Sequence, residues 1–251
     1  MTCKAIVLAA GKGKRLRAGE DDRVPKVMKP ACGHPLIAYV LRAIQWVEPD
    51  DRILVVGYSK EQVIEYCRDM CRFVVQKEQL GTGNAVDVCR EELKDYDGAV
   101  LVCAGDMPLV TEKTYRDLVS VHLREQSDCT ILSAESKNPA GYGRILRGAD
   151  SSFEAIVEER DCTPEQRGIT EINSSIYVFD SKKLFSALLD VTADNAQNEH
   201  YLTDVPGIMK SRGQKVSIHK INDDWQLLGI NTIEQLSEAE GLIREKGLSL
   251  K

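Results

Sequence analysis

Long apolar runs are missing from this sequence, and their absence excludes a membrane-spanning protein. No stretch approaches the roughly 20 consecutive apolar residues that a membrane-spanning helix requires. The opening segment, MTCKAIVLAAGKGKR, carries its basic residues after the apolar run, which is the reverse of a secretory signal peptide. The sequence therefore predicts a cytoplasmic protein without a membrane partner.

Basic tracts and tryptophan are also scarce. The formal net charge is -6 and the chain has two tryptophans, whereas nucleic-acid-binding surfaces usually carry a basic face. We therefore expect no polynucleotide partner. Basic residues concentrate once, near the start of the chain, and such a cluster suits a small polyanionic ligand. They are Lys12, Lys14, Arg15, Arg17, Lys26 and Lys29.

Cysteine is present eight times, but the spacing that binds zinc is missing. Cys67 and Cys71 are four residues apart, yet no second cysteine or histidine pair completes a tetrahedral site. A disulfide framework is typical of small secreted domains, and this chain is long and carries no export signal. We expect reduced, mostly buried thiols.

Short apolar runs alternate with amphipathic segments through the first half of the chain. The runs that predict strands are 5–9, 53–56, 73–75 and 99–103. The segments with helical periodicity are 35–47, 61–70 and 85–93. Fully apolar strands that alternate with helices indicate an α/β fold, with a mostly parallel sheet covered by helices on both faces.

The second half of the chain predicts strands with few long helices between them, which indicates a mixed or antiparallel extension. The strands expected there are 129–134, 143–146, 153–157, 172–179 and 216–221. Helices are expected at 184–189 and 201–210, and a last helix begins at Thr232, where Gln235 completes a capping-box pattern. No repeat or linker divides the chain, so we expect one domain over residues 1–251.

The candidate chemistry begins directly after the first strand, in the segment LAAGKGKRL at residues 8–16. Its glycines let backbone amides approach a phosphate, and its basic residues neutralise the phosphate charge. The segment is not a Walker loop, because GxxxxGK[ST] is absent, and not a dinucleotide fingerprint, because Leu16 stands where the third glycine should be. By itself it is equally consistent with a solvated basic turn.

Three further features favour a phosphate site. Lys26 follows Pro25, which suits a second phosphate clamp. The turn QLGTG at residues 79–83 opens a helix, where bare amides meet anions or base edges. Asp106 follows the fourth strand, and the carboxyl ends of strands in open α/β sheets are where ligands bind. A carboxylate placed there is suited to hold Mg²⁺.

Blocks spread along the chain complete the pattern. They are LAAGKGKRL, PKVM, QKEQLGTGNAV, GDMPL, GYGRI, VEERD, EINSSIYVFD, NEHYLTD and GINT. In this order, from residue 8 to residue 232, the chain resembles the uridylyltransferase half of the bacterial bifunctional N-acetylglucosamine-1-phosphate uridylyltransferase/glucosamine-1-phosphate acetyltransferase family. LAAGxGxR occurs widely among nucleotidyltransferases, whereas QLGTG, GYGRI and EIN together are far more particular.

The resemblance implies a Rossmann-like nucleotidyltransferase fold, with a small antiparallel sugar-binding extension. It also implies that residues 1–125 mainly bind the nucleotide and residues 126–251 mainly bind the sugar. The implied reaction joins UTP to N-acetylglucosamine 1-phosphate, giving UDP-N-acetylglucosamine and pyrophosphate, with Mg²⁺ as cofactor.

The resemblance assigns roles to residues of this sequence. The implied catalytic residues, which bind the triphosphate, are Arg15 and Lys26, and the implied metal ligands are Asp106 and Asn231. The implied nucleotide-binding residues are Leu8, Ala9, Ala10, Gly11, Gly13, Gln76, Gly81 and Thr82. The implied sugar-binding residues are Gly143, Glu158, Asn173, Tyr201 and Thr203.

The sequence departs from the residues usual in that family at four places. Ala104 stands where an aromatic residue is usual, Ser174-Ser175 where Thr-Gly is usual, Asn198 where Gly is usual and His200 where Tyr is usual. We expect these positions around the sugar pocket. The reaction class is therefore kept, while another hexose or amino-sugar 1-phosphate stays open as the substrate.

The sequence is also compatible with a catalytically inactive module that binds sugar nucleotides. Such a module could lose its cationic and metal-binding residues, and this sequence keeps them. The bifunctional relatives continue into a β-helix of hexapeptide repeats, which is missing here, so acetyltransferase activity is not expected. The sequence leaves open whether the protein forms a homo-oligomer. Glu158 and Glu159 are adjacent, so we expect one to meet ligand and the other solvent.

Overall fold

The computed structural model describes residues 3–13, 16 and 24–250. Its strands are β1 (Lys4–Ala9), β2 (Pro30–Ala31), β3 (His34–Pro35), β4 (Arg52–Val56), β5 (Arg72–Val75), β6 (Ala99–Ala104), β7 (Cys129–Glu135), β8 (Gly143–Arg147), β9 (Phe153–Val157), β10 (Glu171–Asp180) and β11 (Val216–Ile221). Its α-helices are α1 (Leu36–Ala43), α2 (Lys60–Cys67), α3 (Thr82–Asp87), α4 (Glu112–Glu125), α5 (Pro164–Arg167), α6 (Ser181–Ala187), α7 (Val205–Ser211) and α8 (Ile233–Glu245).

The main sheet has the strand order β11-β7-β10-β6-β1-β4-β5, with β8 and β9 attached beside β10. Strand β1 lies between β6 and β4 and is parallel to both. From β1 the chain proceeds to β4 and β5 on one side and then crosses to β6 on the other. The connections therefore diverge between β1 and β6, and such a divergence opens a crevice at the carboxyl ends of the strands.

Strand β10 gives the sheet its mixed character, because it is antiparallel to both β6 and β7. Its first residues also pair with β8, and β8 pairs with β9, so a small antiparallel extension grows from one end of β10. The pairing of β10 with β7 shifts register between Asn173 and Tyr177. The α/β fold with a mixed, mostly parallel sheet and an antiparallel extension is confirmed.

Helices cover both faces of the sheet, as the apolar strands predicted. Alternate residues of β1 pack on opposite sides, with Val7 in one core and Ile6 in the other. Helices α1, α2 and α4 bury their apolar stripes in the first core, while α3, α6 and α7 do so in the second. A smaller third core joins α8 to α1 and the β2–β3 hairpin. Burial on both faces explains why these strands are apolar throughout.

The structure differs from the sequence-based expectation most at α4, the longest helix, for which no element was expected. Thr111 caps it by accepting a hydrogen bond from the Thr114 amide, and Tyr115, Leu118 and Val119 form its buried stripe. The helical spacing of those residues was a usable signal, but the polar residues TEKT at its start obscured it. The apolar residues on its buried face stabilise this helix, and a high overall hydrophobicity of the segment is not needed.

Two expected helices also have different limits. The helix expected at 85–93 begins earlier, at Thr82, and ends at Asp87, with a separate 3-10 turn at Glu91–Leu93. The helix expected at 201–210 begins only at Val205, after a 3-10 turn at Leu202–Asp204. Pro206 explains the second difference, because proline is favoured in the first helical turn.

The cysteines are reduced, as expected. All eight fall within the described part of the chain, none forms a disulfide, and all except Cys32 are buried. Burial raises the pKa of the Cys89 thiol to about 12, which keeps it protonated. Among residues 3–13, 16 and 24–250, no helix is both long enough and apolar enough to cross a bilayer.

Arg52 holds together the turns that follow α1 and α2. Its buried guanidinium donates to the backbone carbonyls of Val47 (2.6 Å), Gln45 (2.8 Å) and Met70 (3.1 Å). We predict that Arg52→Met lowers the free energy of unfolding by about 2 kcal/mol or more, because buried carbonyls lose their donors. Urea denaturation measures this loss. The exposed Arg42 provides the control, and Arg42→Met should change stability by less than about 0.5 kcal/mol.

Candidate active site

A cavity of about 1230 Å³ opens at the carboxyl ends of β1 and β6, where the sheet connections diverge. Both halves of the chain contribute to its walls. The residues implied by the sequence that line it are Leu8, Ala9, Ala10, Gly11, Gly13, Lys26, Gln76, Gly81, Thr82, Asp106, Gly143, Glu158, Asn173, Thr203 and Asn231. Tyr201 does not line it, and Arg15 lies outside the described residues.

The loop after β1 packs directly on Lys26. A Cβ atom added to Gly13 would lie 2.7 Å from the Cβ of Lys26, so only glycine permits this approach. Lys26 itself begins a short 3-10 turn after Pro25. The loop after β1 and the segment that begins at Lys26 are therefore in contact, and Lys26 lines the cavity.

Lys26, Asp106 and Asn231 come together although they are far apart in the sequence. The Lys26 Nζ atom donates to a carboxylate oxygen of Asp106 and to the Asn231 Oδ1 atom, the latter at 2.8 Å. The side chains of Lys26 and Asp106 are 12% and 20% exposed, so water screens their attraction only partly. Two side-chain oxygens from segments far apart in the sequence thus accept hydrogen bonds from the Lys26 ammonium group.

Backbone contacts explain this convergence. The Gly105 amide donates to the Leu8 carbonyl (2.9 Å), which sets Asp106 beside the end of β1. The Ile230 amide donates to the Asp106 carbonyl (3.0 Å), which brings the next residue, Asn231, to the same place. The Asn231 amide group donates to the Gly229 carbonyl at 3.2 Å and so leaves its oxygen facing Lys26.

Gln76 organises the turn at the opposite wall. Its side-chain amide donates to the Gly81 carbonyl (3.2 Å) and to Asn84 Oδ1 (2.9 Å), and the residue is buried. These contacts hold the turn at residues 79–83 against the end of β5. The turn consequently lines the cavity through Gln79, Gly81 and Thr82.

The end of the cavity near β8 and β10 is polar and incompletely satisfied. Asn173 is 2% exposed, and its amide nitrogen donates to the Tyr177 hydroxyl at 2.8 Å. Its Oδ1 atom is buried and has no hydrogen-bond partner among the described residues. A buried acceptor without a partner is costly, so a ligand that donates a hydrogen bond is well matched to this position.

Comparisons with known proteins identify the family of this chain. Residues 5–202 match the family model of the MobA-like NTP transferase domain. The chain belongs to this family. The bifunctional protein GlmU of Lactococcus lactis subsp. cremoris is 43% identical over 242 residues, which cover 96% of this chain and 52% of that protein. The GlmU of Streptococcus agalactiae is 42% identical over 246 residues, covering 98% of this chain and 53% of that protein.

The chain spans about half the length of the curated relatives it matches. Solved structures support the fold. A UDP-glucose pyrophosphorylase complexed with UDP-glucose superposes with a TM-score of 0.76 at 19% identity, covering 98% of this chain and 100% of that one. A thymidylyltransferase from Bacillus anthracis, described as putative, gives the same TM-score at 18% identity and covers 97% of this chain and 96% of that one.

In this MobA-like domain, Glu158 and Glu159 face different surroundings, as expected, but Glu159 does not simply meet solvent. Glu158 lines the cavity, and burial raises its pKa above the ordinary value, with Asp161 and Asp204 raising it further. Glu159 instead accepts from the buried Arg144 (2.7 Å) and from the Gly141 amide (3.2 Å). It therefore holds the cavity wall that precedes β8.

Two of the departures from the usual family residues lie at positions of left-handed backbone. Ser175 and Asn198 have left-handed backbone, with φ values of 59° and 53°, which glycine adopts without steric cost. Ser174 turns its hydroxyl to the Leu132 carbonyl at 2.7 Å. His200 was expected around the sugar pocket, but its backbone amide and carbonyl bond to Leu80 and Gly83, next to the expected nucleotide loop.

Several residues that line the cavity were not predicted from the sequence. They are Tyr142, Arg160, Gln197, Glu199 and Gln235. Tyr142, Arg160 and Glu199 lie inside the sequence blocks that carry the resemblance, so membership of a motif was the available signal. Gln197 also explains the position of Tyr201, because its side-chain amide donates to the Tyr201 hydroxyl at 2.7 Å. Tyr201 consequently lies behind Gln197.

We predict that Gly81→Ala lowers the free energy of unfolding by about 2 kcal/mol or more. Gly81 has φ 116°, and an added Cβ would lie 2.5 Å from the carbonyl oxygen of His200 and 2.7 Å from its nitrogen. Urea denaturation of the purified variant measures the loss. Gly207→Ala is the control, because its Cβ meets nothing within 4 Å and the residue lies in α7. Equal stability of the two variants would contradict this packing.

The raised pKa of Glu158 predicts a pH-dependent stability difference. The folded protein holds this proton to higher pH than the unfolded chain does, so the natural protein loses stability as pH rises through the raised pKa. Glu158→Gln cannot ionise, so its stability relative to the natural protein should increase as the pH rises above the ordinary pKa of a glutamate. Denaturation at several pH values tests this. The exposed Glu154 supplies the control variant, Glu154→Gln, and a pH-independent difference for Glu158→Gln would refute the prediction.

Proposed function

We propose that this protein is a sugar-1-phosphate nucleotidyltransferase that forms UDP-N-acetylglucosamine and pyrophosphate from UTP and N-acetylglucosamine 1-phosphate. The proposal is supported by the sequence blocks from residue 8 to residue 232 and by the similarity to GlmU proteins over nearly the whole chain. The fold shared with a UDP-glucose pyrophosphorylase is consistent with it.

One observation carries the proposal. Lys26, Asp106 and Asn231 meet at one end of a cavity whose other end contains Asn173, and the buried Oδ1 atom of Asn173 has no hydrogen-bond partner within the described part of the chain. The first group suits a polyphosphate with a cation, and the second suits the hydroxyl or amide donors of a sugar. A single cavity of about 1230 Å³ has room for a nucleotide and a sugar phosphate together.

The proposed reaction requires no covalent intermediate on the protein. A phosphate oxygen of the sugar phosphate attacks the α-phosphorus of UTP in line and forms a new P–O bond. The bond from that phosphorus to the α–β bridging oxygen breaks, and pyrophosphate leaves with the electron pair. Both substrates are anions, so the protein's task is to hold them in line and to offset their repulsion.

The residues of this chain divide that task. Lys26 neutralises negative charge at the reacting phosphates, and Arg15, for which the sequence implies the same role, would add to it. The turn at residues 79–83, which Gln76 supports, holds the nucleotide. Asn173, Glu158 and Thr203 line the opposite end, where they orient the sugar phosphate.

The donor set at Asp106 and Asn231 fits Mg²⁺. Magnesium prefers oxygen ligands and is usually held by one or two protein groups together with substrate phosphates. Within the described residues, no group of three or more His, Cys, Asp or Glu forms a fuller cage. Asp106 and Asn231 would therefore hold Mg²⁺ together with the nucleotide. When bound, it supplies charge neutralisation and polarisation of phosphoryl oxygens.

We predict that Asp106→Asn lowers kcat about 100-fold or more, because the charged cation-binding group is lost while the shape is kept. Pyrophosphate release measures turnover, and electron paramagnetic resonance with Mn²⁺ measures metal affinity, which should fall in parallel. The exposed Asp50 gives the control Asp50→Asn, which should keep both properties. Full activity of a folded Asp106→Asn protein would refute the metal role.

The identity of the sugar is tested by a substrate panel. Pyrophosphate release should be fastest for UTP with N-acetylglucosamine 1-phosphate, compared with other nucleoside triphosphates and with glucose or glucosamine 1-phosphate. A different preferred pair would keep the reaction class and change the substrate. Binding of UDP-N-acetylglucosamine without turnover of any pair would instead indicate an inactive nucleotide-binding module.

A further inference from the structure

Residues 195–203 form a strap along the cavity wall. Asn195 organises its first part, because its Oδ1 atom accepts from the amides of Gln197 (3.2 Å) and Glu199 (3.3 Å), and its amide group donates to the Glu199 carbonyl (2.6 Å). The Ala196 amide donates to Asp161 at 2.9 Å, which joins the strap to the loop after β9. The strap is thus anchored on the sugar side of the cavity.

The other side of the strap is bonded to the turn at residues 79–83. The His200 amide donates to the Leu80 carbonyl at 2.8 Å, and the Gly83 amide donates to the His200 carbonyl at 2.8 Å. A side chain on Gly81 would collide with the His200 backbone, so the two segments are in direct contact. The cavity wall expected to bind the nucleotide and the wall expected to bind the sugar therefore meet where the strap contacts the turn.

The Thr82 side chain makes one contact across this junction. Among the described residues there, it is the contact that a conservative substitution can remove. Its hydroxyl accepts a hydrogen bond from the Leu202 amide at 3.0 Å, although the two residues are 120 positions apart. Leu202 is buried, and the next residue, Thr203, lines the sugar end of the cavity. The Thr82 backbone meanwhile belongs to the turn proposed to hold the nucleotide.

We infer that Thr82 is a positioning residue whose hydroxyl couples nucleotide binding to sugar-phosphate binding. This inference rests on the proposed function. A nucleotide held by the turn fixes Thr82, and the Thr82 hydroxyl fixes the strap, so the sugar end is ordered before its ligand arrives. Coupling of this kind is reciprocal, and each ligand should raise the affinity for the other by the same factor.

The test compares Thr82→Val, which keeps the shape but removes the acceptor, with Thr82→Ser, which keeps the hydroxyl. Calorimetry measures the affinity for N-acetylglucosamine 1-phosphate with and without a saturating, non-hydrolysable UTP analogue. We expect the nucleotide to raise the sugar-phosphate affinity about five-fold or more in the natural chain and in Thr82→Ser. In Thr82→Val this factor should fall close to one.

Hydrogen exchange of the natural chain supplies a second measurement that requires no variant. The UTP analogue alone should slow exchange of the Leu202 amide several-fold, although its acceptor is a protein group. Unchanged exchange, equal coupling in Thr82→Val, or equal loss of coupling in Thr82→Ser would each overturn the inference. If the natural chain bound neither the UTP analogue nor N-acetylglucosamine 1-phosphate, the proposed function would be overturned, and this inference with it.

Discussion

The contact of the Lys26 ammonium group with Asp106 and Asn231 is the interaction on which the site depends. It joins residues 80 and 205 positions apart and lies at the divergence between β1 and β6. A partly buried carboxylate is costly without a partner, and Lys26 supplies that partner to Asp106 in the free protein. The oxygen atoms of Asp106 and Asn231 also suit a divalent cation. The negative charge of Asp106 is therefore balanced whether Lys26 or a metal ion contacts it.

Segments from both halves of the chain form the cavity walls and are bonded to each other. The turn at residues 79–83 belongs to the first half, but the strap from the second half bonds to it at His200 and Leu202. The buried Arg144 and Glu159 hold the opposite wall through Tyr142 and Gly141. Neighbouring walls are therefore tied by hydrogen bonds between segments, rather than formed by one continuous segment.

Several predictions from sequence were confirmed because their signals are local. Apolar runs marked β1, β4, β5 and β6, and the capping box at Thr232 and Gln235 marked the start of α8. Helix α4 was missed, since its buried residues are interspersed with charged ones. The placement of Tyr201 also could not be read from its motif, because it depends on a hydrogen bond from Gln197.

By itself, the sequence determined the alternation of strands and helices, the family and the candidate site residues, most of which line the cavity, because these follow from local periodicity and short motifs. Tertiary structure alone decided which of those residues meet. The bond of Thr82 to Leu202 and the convergence at Lys26 join segments far apart in the chain. Such contacts depend on strand order and on backbone hydrogen bonds between loops, which no local pattern encodes.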